Sequence, residues 1–255
     1  MSSLHIVDPE VSAYIDETLA PSPEPLPQLE ARARSEGFPI IGPQVGRIVS
    51  LLTATAGARR ILELGSGFGY SALWFAHGMG VFGTGDGGGP QPAVTGDRTG
   101  DGGDLEPESP PAADRGRRLA APEIHCTDAD HLNAESATQY FEHAGISHLV
   151  HFHVGNALSY GDLLIKQRAA PFDIVFNDID KEDYPNVPEL AAELLGPGGL
   201  LITDNTLWYG LVANTRAADD VTAGIQEYNR IVSRGGAWES VIIPVRDGVT
   251  ISRKI

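Results

Sequence analysis

One cysteine, two methionines and three lysines stand in a chain of 255 residues. Cys126, being alone, excludes an internal disulfide framework and a cysteine-based zinc site, and it makes the cytoplasm the expected compartment. No apolar run reaches the ~18 residues that a membrane-spanning helix needs. The first residues carry no basic stretch leading into an apolar one, so no signal peptide is expected either. Positive charge is also scarce, with 18 basic residues against 34 acidic ones for a formal net charge of −16. Such a field repels phosphate backbones, and no local basic patch offsets it, so nucleic acid is not an expected partner. An acidic surface whose only lysines are Lys166, Lys181 and Lys254 suits a salt-rich cytoplasm, where repulsion is screened within a few ångströms. That halophilic character is an expectation about habitat rather than chemistry.

What is present reads as one domain over 1–255, long enough to bury one large core. Asp8-Pro-Glu10 caps a first helix with Val11, Tyr14, Ile15 and Leu19 at helical spacing. Pro21, Pro23, Pro25 and Pro27 then force an extended connector. A short helix over Leu29–Glu36 follows, and Ile40-Ile-Gly-Pro43 opens a longer one with Val45, Ile48, Val49 and Leu52 on one face. Residues 1–56 therefore form a helical cap ahead of the first strand.

That strand, Arg60-Ile-Leu-Glu-Leu64, runs directly into Gly65-Ser-Gly67-Phe-Gly69-Tyr-Ser71 and an apolar helix. Strand, glycine turn and helix form a layout in which a nucleotide-bearing ligand can approach backbone N–H groups at a helix start. The Gly-x-Gly-x-Gly spacing departs from the dinucleotide fingerprint. From 82 to 121 the chain is dense in Gly, Asp and Pro, too poor in apolar surface to offset its ordering entropy, and reads as a surface insertion. Beyond it, Glu123-Ile-His-Cys-Thr-Asp128 is a second strand ending in an acid. Without the insertion, Asp128 falls about 20 positions after the glycine turn, where Rossmann-like units keep the acid that binds a ribose. A helix from His131 to Ala144 leads to a third strand, Leu149–Val154. His148, His151 and His153 there invite a metal reading, but no further ligand stands at a familiar spacing, so they read as ordinary, partly exposed histidines. Gly155-Asn-Ala157 is a tight turn able to lay backbone against a planar base.

Phe172-Asp-Ile-Val-Phe-Asn-Asp-Ile-Asp-Lys181 is an apolar strand that stops at Asp178, Asp180 and Lys181. One strand-helix unit later, after a helix closed by Gly196-Pro-Gly-Gly199, Leu200-Leu-Ile-Thr ends in Asp204-Asn205. Open α/β sheets keep their sites at such carboxyl ends. If the two strands are neighbours, Asp178, Asp204 and Asn205 share one crevice. All three are hard oxygen donors that suit Mg²⁺, or Mn²⁺ or Ca²⁺, better than zinc. Lys181 is close enough to act as a general base, and Trp208 and Tyr209 supply aromatic surface. A helix over 217–234 and two strands joined by Arg246-Asp-Gly248 complete an α/β sheet of seven strands, mostly parallel with a reversed carboxyl-terminal edge.

These stretches carry a resemblance. Ile61-Leu-Glu-Leu-Gly-Ser-Gly-Phe-Gly-Tyr-Ser-Ala72 is similar to the first motif of class I S-adenosylmethionine-dependent methyltransferases. With Ile41-Gly-Pro-Gln-Val-Gly46, Asn177-Asp-Ile-Asp-Lys-Glu-Asp-Tyr184, Asp204-Asn-Thr-Leu-Trp-Tyr-Gly210 and Pro244-Val-Arg-Asp-Gly-Val-Thr-Ile251, the chain resembles the cation-dependent O-methyltransferases, the catechol and caffeoyl-CoA group. The resemblance implies a Rossmann-like class I fold with helices on both faces of the sheet, S-adenosylmethionine as methyl donor, a divalent cation on Asp178, Asp204 and Asn205, and Lys181 as base. It places Ile41, Glu63, Gly65, Ser66, Gly67, Tyr70, Ser71, Asp128, Ala157 and Asp178 around the donor. It further implies a small phenolic acceptor and a homodimer. Two other readings stand beside it: O-methylation of a hydroxylated uridine in tRNA, and a donor-binding module without catalysis. Asn177, where the family often has an apolar residue, and the long insertion depart from the pattern.

Overall fold

A computed structural model of the chain describes residues 6–82, 121–214 and 219–255. Helices α1 (Pro9–Thr18), α2 (Leu26–Glu36) and α3 (Gly42–Ala56) come first, followed by β1 (Arg60–Leu64) and α4 (Tyr70–Gly78). Next are β2 (Glu123–Asp128), α5 (His131–His143), β3 (Val150–Val154), α6 (Ala157–Lys166), β4 (Phe172–Asn177), α7 (Val187–Leu194) and β5 (Leu195–Thr203). The chain closes with α8 (Asp220–Ser233), β6 (Trp238–Ile243) and β7 (Val249–Lys254).

The seven strands form one sheet in the order β3-β2-β1-β4-β5-β7-β6. Strands β1 to β5 are mutually parallel, and β7 runs antiparallel to both β5 and β6. The expected Rossmann-like, mostly parallel sheet with a reversed carboxyl-terminal edge is therefore present. Within that edge the reversed strand is β7, seated one position inside β6.

Alternation along β1 divides the core between the two faces. Ile61 packs in one cluster with Val45 of α3, Leu73 of α4 and Phe141 of α5. Leu62 and Leu64 pack in the other with Leu164 of α6, Leu190 of α7 and Ile225 of α8. Each such side chain, fully buried, contributes about 1.5–3 kcal/mol. The helical cap docks through α3, where Gly46 lies so close to the buried Trp74 that a Cβ would stand 2.2 Å from its Nε1. A register shift between Phe172 and Ile174 accompanies a buried Asp173 whose Oδ2 accepts the N–H groups of Arg59 (2.8 Å) and Arg60 (3.0 Å).

Three expectations change. The apolar stripe expected to seat α1 is not covered: α1 buries none of its residues, and Val11 and Tyr14 are exposed. The Gly-Pro-Gly-Gly stretch does not merely close α7. Leu195 is already extended and pairs with Phe172, so the stretch lies inside β5. The last long helix begins at Asp220, where the Asp219 side chain accepts the N–H of Thr222 as an N-cap. Of the insertion expected over 82–121, residues 83–120 lie outside the described residues. No helix among the described residues is long and apolar enough to cross a membrane.

Candidate active site

The parallel register pairs Asn177 with Thr203, so Asp178 and Asp204 emerge from adjacent strand ends, as the spacing requires. Each is tied to its neighbour by backbone. The Asp178 N–H donates to the Leu64 carbonyl at 2.8 Å, and the Asp204 N–H donates to the Asn177 carbonyl at 3.2 Å. Tyr184, fully buried in a 3-10 turn over Lys181–Asn186, donates its hydroxyl to the Asp204 carbonyl at 3.0 Å. Asn205 follows at φ 56°, a left-handed conformation that asparagine adopts more readily than most side chains.

The turn at Arg246-Asp-Gly248 is a support for this ledge, a role its hairpin signal does not disclose. Gly248 and Asp247 accept the N–H groups of Thr206 (3.0 Å) and Leu207 (2.9 Å) through their carbonyls, while the Asp247 carboxylate accepts the N–H of Tyr209. Thr250 adds a hydroxyl bond to Thr206 at 2.9 Å.

Electrostatics at the ledge are unbalanced. Lys181 donates its ammonium to Asp178 Oδ1 at 2.7 Å and to the Ile179 carbonyl at 3.1 Å. Burial pushes the Asp178 carboxyl above its ordinary value, and the Lys181 charge opposes the rise. The nine-tenths buried Asp204 is pushed up to about 7, by burial first and by the Asp178 charge second. Asp178 retains 27% of its side-chain exposure, and that open portion faces the cavity described below.

The glycine turn is fixed by β2 rather than left open. Gly65 donates its N–H to Thr127 Oγ1 (3.1 Å), Ser66 to the Thr127 carbonyl (2.8 Å), Gly67 to Asp128 Oδ2 (2.9 Å) and Gly69 to the Ser66 carbonyl (2.9 Å). These four donors are spent within the protein, so the N–H groups of Gly65, Ser66, Gly67 and Gly69 do not face a ligand, and the helix start expected to do so begins at Tyr70. The glycines are needed for close approach: Gly65 lies at φ +84°, with Asp178 O only 2.4 Å from where a Cβ would stand. Asp128 accepts from Gly67 and also, through Oδ1, from the Asp130 N–H (2.9 Å) and Asn133 Nδ2 (3.1 Å). The N-cap of α5 itself is Asp130.

A cavity of about 410 Å³ joins these parts. Ile41, Gly65, Ser66, Gly67, Tyr70, Ser71, Asp128, Ala157, Asp178, Lys181, Asp204 and Asn205 all line it. Glu63 does not. It is fully buried behind the turn, with Oε1 unpartnered, the Cys126 thiol donating to Oε2 at 3.4 Å, and burial pushing its carboxyl up to about 7. Asn156, in the turn expected to meet a planar base, lines it too, and sequence reasoning missed Phe38, Phe68, Thr127 and Asp183. The Phe38 ring packs at a tilt of 41° against Phe68, with centroids 4.5 Å apart, and its only signal was an aromatic residue just ahead of the Ile41 segment. A second cavity, of about 920 Å³, is lined by Arg34, Phe38, Tyr209, Arg246 and Asp247 among others, and shares Asp204 and Asn205 with the first.

Comparison with known proteins fits this geometry. The family described as O-methyltransferase matches residues 119–255, more than half of the chain. A catechol O-methyltransferase from Niastella koreensis is 25% identical over 235 residues, covering 91% of this chain and 89% of that protein. A caffeoyl-CoA O-methyltransferase from Mesembryanthemum crystallinum is 32% identical over 148 residues, which is 54% of this chain and 58% of its own length. Among solved structures, an O-methyltransferase from Bacillus cereus in complex with SAH has a TM-score of 0.74 at 22% identity, covering 96% of this chain and 97% of that one. The O-methyltransferase TomG from Streptomyces achromogenes, in complex with SAM, has a TM-score of 0.73 at 25% identity, covering 96% of each chain. With its sheet order, its strand-end ledge and the family match together, the chain belongs to the O-methyltransferase family.

Proposed function

We propose that the chain transfers a methyl group from S-adenosylmethionine to a hydroxyl of a small catechol-like or phenolic acceptor, and that it depends on a divalent cation, Mg²⁺ in the first place. The observation that carries this reading is the meeting of two cavities at Asp204 and Asn205. One is walled by the glycine turn and Asp128, the other by Phe38, Tyr209 and two arginines.

The residues suit both small groups. Asp178, Asp204 and Asn205 present only oxygen donors, the chemistry of a hard cation. When bound there, such an ion would favour the anionic form of an acceptor hydroxyl at neutral pH. The 410 Å³ cavity falls in the range of small-molecule sites, about 300–1,000 Å³. A carboxylate has about four acceptor positions, and Asp128 uses three inside the protein, so it keeps room for a ribose hydroxyl.

The chain's own work is alignment. The methyl carbon must leave sulfur as the acceptor oxygen bonds to it from the opposite side, and holding those atoms in line accounts for most of the acceleration. Tyr184 holds the Asp204 backbone, and the Arg246-Asp-Gly248 turn holds the Thr206–Leu207 backbone that follows Asn205. Ile41 and Phe38, carried by the helical cap, close one side of the cavity and exclude water. Lys181 Nζ stands in the same cavity; as the neutral amine, once the ammonium has released one of its own protons to solvent, it would take the hydroxyl proton. The proposal extends to a single domain over 1–255, a homodimer, and a cytoplasmic setting that suits the free, buried Cys126.

The test is a methyl-transfer screen over catechols, hydroxycinnamoyl thioesters and hydroxylated tRNA, each with Mg²⁺ and with chelator. Chelator-sensitive methylation of a catechol or hydroxycinnamoyl thioester supports the reading. Transfer to tRNA alone would replace the acceptor, and transfer indifferent to chelator would remove the cation.

A further inference from the structure

The three histidines near β3 read as ordinary because no partner stands near them in sequence. The partners come from the neighbouring strand. In the parallel pair β2–β3, His125 lies directly opposite His151, and Glu123, two residues before His125, points to the same face as any i, i+2 residue of a strand must. His125 Nε2 is 2.9 Å from Glu123 Oε1, and His151 Nε2 is 3.5 Å from the same oxygen. One ligand atom from each of Glu123, His125 and His151 lies within 4.8 Å of the others.

From this cluster we propose a second metal site, distinct from the catalytic crevice, that binds a borderline divalent ion such as Zn²⁺ through His125, His151 and Glu123. A tetrahedral ion bonded at about 2.0–2.1 Å holds its ligands roughly 3.3 Å apart. Two of the separations, 2.9 and 3.5 Å, bracket that distance, and the third, between the two imidazole nitrogens, lies within 4.8 Å, so the exposed His151 ring has to swing inward by up to about 1.5 Å to admit the ion. Two imidazoles and one carboxylate, with a fourth position open to water, are a zinc-type donor set, unlike the all-oxygen set of the ledge.

The surroundings are built in the way that orients metal ligands. The second ring nitrogen of His125, Nδ1, is hydrogen-bonded to the Tyr160 hydroxyl of α6 at 2.9 Å. When Nδ1–H donates in that bond, the Nε2 lone pair faces Glu123 Oε1 with no proton between them, an arrangement completed by a cation. Arg60 pairs with the other oxygen, Glu123 Oε2, and so turns Oε1 toward the imidazoles. Its charge opposes a cation and is the chief cost of the site. His153, stacked on Tyr160 at 4.3 Å, keeps that ring in place.

The location gives the ion a role. Among the described residues strand β3 is the sheet edge and pairs only with β2, and an edge strand is the least secured part of a sheet. A metal bridging His151 to Glu123 and His125 fastens that edge. Glu123 opens β2 and Asp128 closes it, with His125 between them, so the ion lies about 10–16 Å of strand rise from the crevice end.

The test is calorimetric titration of the full chain with Zn²⁺ in excess Mg²⁺, for wild type, His151→Ala and Asp204→Ala, supported by the visible spectrum of the Co²⁺ form. One ion per chain is expected in wild type and in Asp204→Ala. Loss of His151, an exposed side chain on an edge strand whose removal leaves the core intact, should weaken binding by more than about 100-fold, and Tyr160→Phe by about tenfold. The Co²⁺ spectrum should be tetrahedral in wild type and absent in His151→Ala. His151→Gln, with circular dichroism, provides a second variant should the alanine form fold poorly. Wild-type Zn²⁺ affinity retained in both His151 variants, no binding by wild type, or binding abolished only by Asp204→Ala would each overturn the proposal.

Discussion

Replacing Gly65 with alanine separates backbone strain from steric conflict at the strand-end ledge. Gly65 sits at φ +84°, and its added Cβ would meet the Asp178 carbonyl oxygen at 2.4 Å. A left-handed alanine costs about 1–2 kcal/mol. The conflict is with backbone, so β4 must move rather than a flexible side chain, at a further cost of about 1–3 kcal/mol. Together the change is worth about 2–5 kcal/mol, a large share of the ~5–15 kcal/mol that holds a typical domain together. Gly57 is the control. It has φ +59° with nothing within 4 Å of its would-be Cβ, so Gly57→Ala carries only the ~1–2 kcal/mol of strain. Urea unfolding of both variants, read at constant m, should show Gly65→Ala less stable than Gly57→Ala by about 1–3 kcal/mol. Because Asp178 moves with β4, methyl transfer in Gly65→Ala should fall about 100-fold, the usual consequence of a 1 Å misplacement, while Gly57→Ala stays near wild type. Equal stability of the two variants would refute the claim that the turn is glycine because of Asp178.

Other outcomes follow from the same geometry. Glu63 has its carboxyl raised from 4.5 to about 7 by burial, so the folded chain holds a proton there that the unfolded chain releases above about pH 4.5. Stability from this group is full below that pH and falls as pH rises to about 7, by about 3 kcal/mol; denaturation of Glu63→Gln at pH 5 and pH 7.5 should lack that part of the wild-type slope. Tyr184→Phe removes a buried hydroxyl from the Asp204 carbonyl and should cost about 1–3 kcal/mol. Its kcat should drop while donor affinity, measured by calorimetry, stays constant. The net charge of −16 predicts that thermal stability rises with salt as repulsion is screened, and a melting temperature unchanged between dilute buffer and concentrated KCl would dismiss the halophilic reading.

Much of the crevice was legible because a parallel sheet delivers every strand end to one edge. Asp178 and Asp204-Asn205 stand one residue past Asn177 and Thr203, which pair directly, so apolar runs that stop at acids were enough to bring them together. The glycine turn was legible as a turn, yet the N–H groups of Gly65, Ser66 and Gly67 are taken by Thr127 and Asp128, because the register between β1 and β2 decides which donors remain. The same lack of register hid Glu123, His125 and His151, whose side chains meet across two strands separated by a helix. Support from Tyr184 and Asp247 was equally hidden, since a tyrosine bonded to a carbonyl leaves no mark on sequence spacing. The exposed face of α1 shows the limit of periodicity, which identifies a stripe without naming what covers it.

The most direct test of a cation-dependent methyl-transfer ledge at Asp178, Asp204 and Asn205 is Asp204→Ala, assayed for catechol methylation with Mg²⁺ and, on the same protein, for S-adenosylmethionine affinity by calorimetry. Methylation should be abolished while donor affinity stays within about threefold of wild type, a difference under ~0.7 kcal/mol. Undiminished turnover in Asp204→Ala, or wild-type turnover untouched by excess chelator, would contradict a cation-dependent ledge.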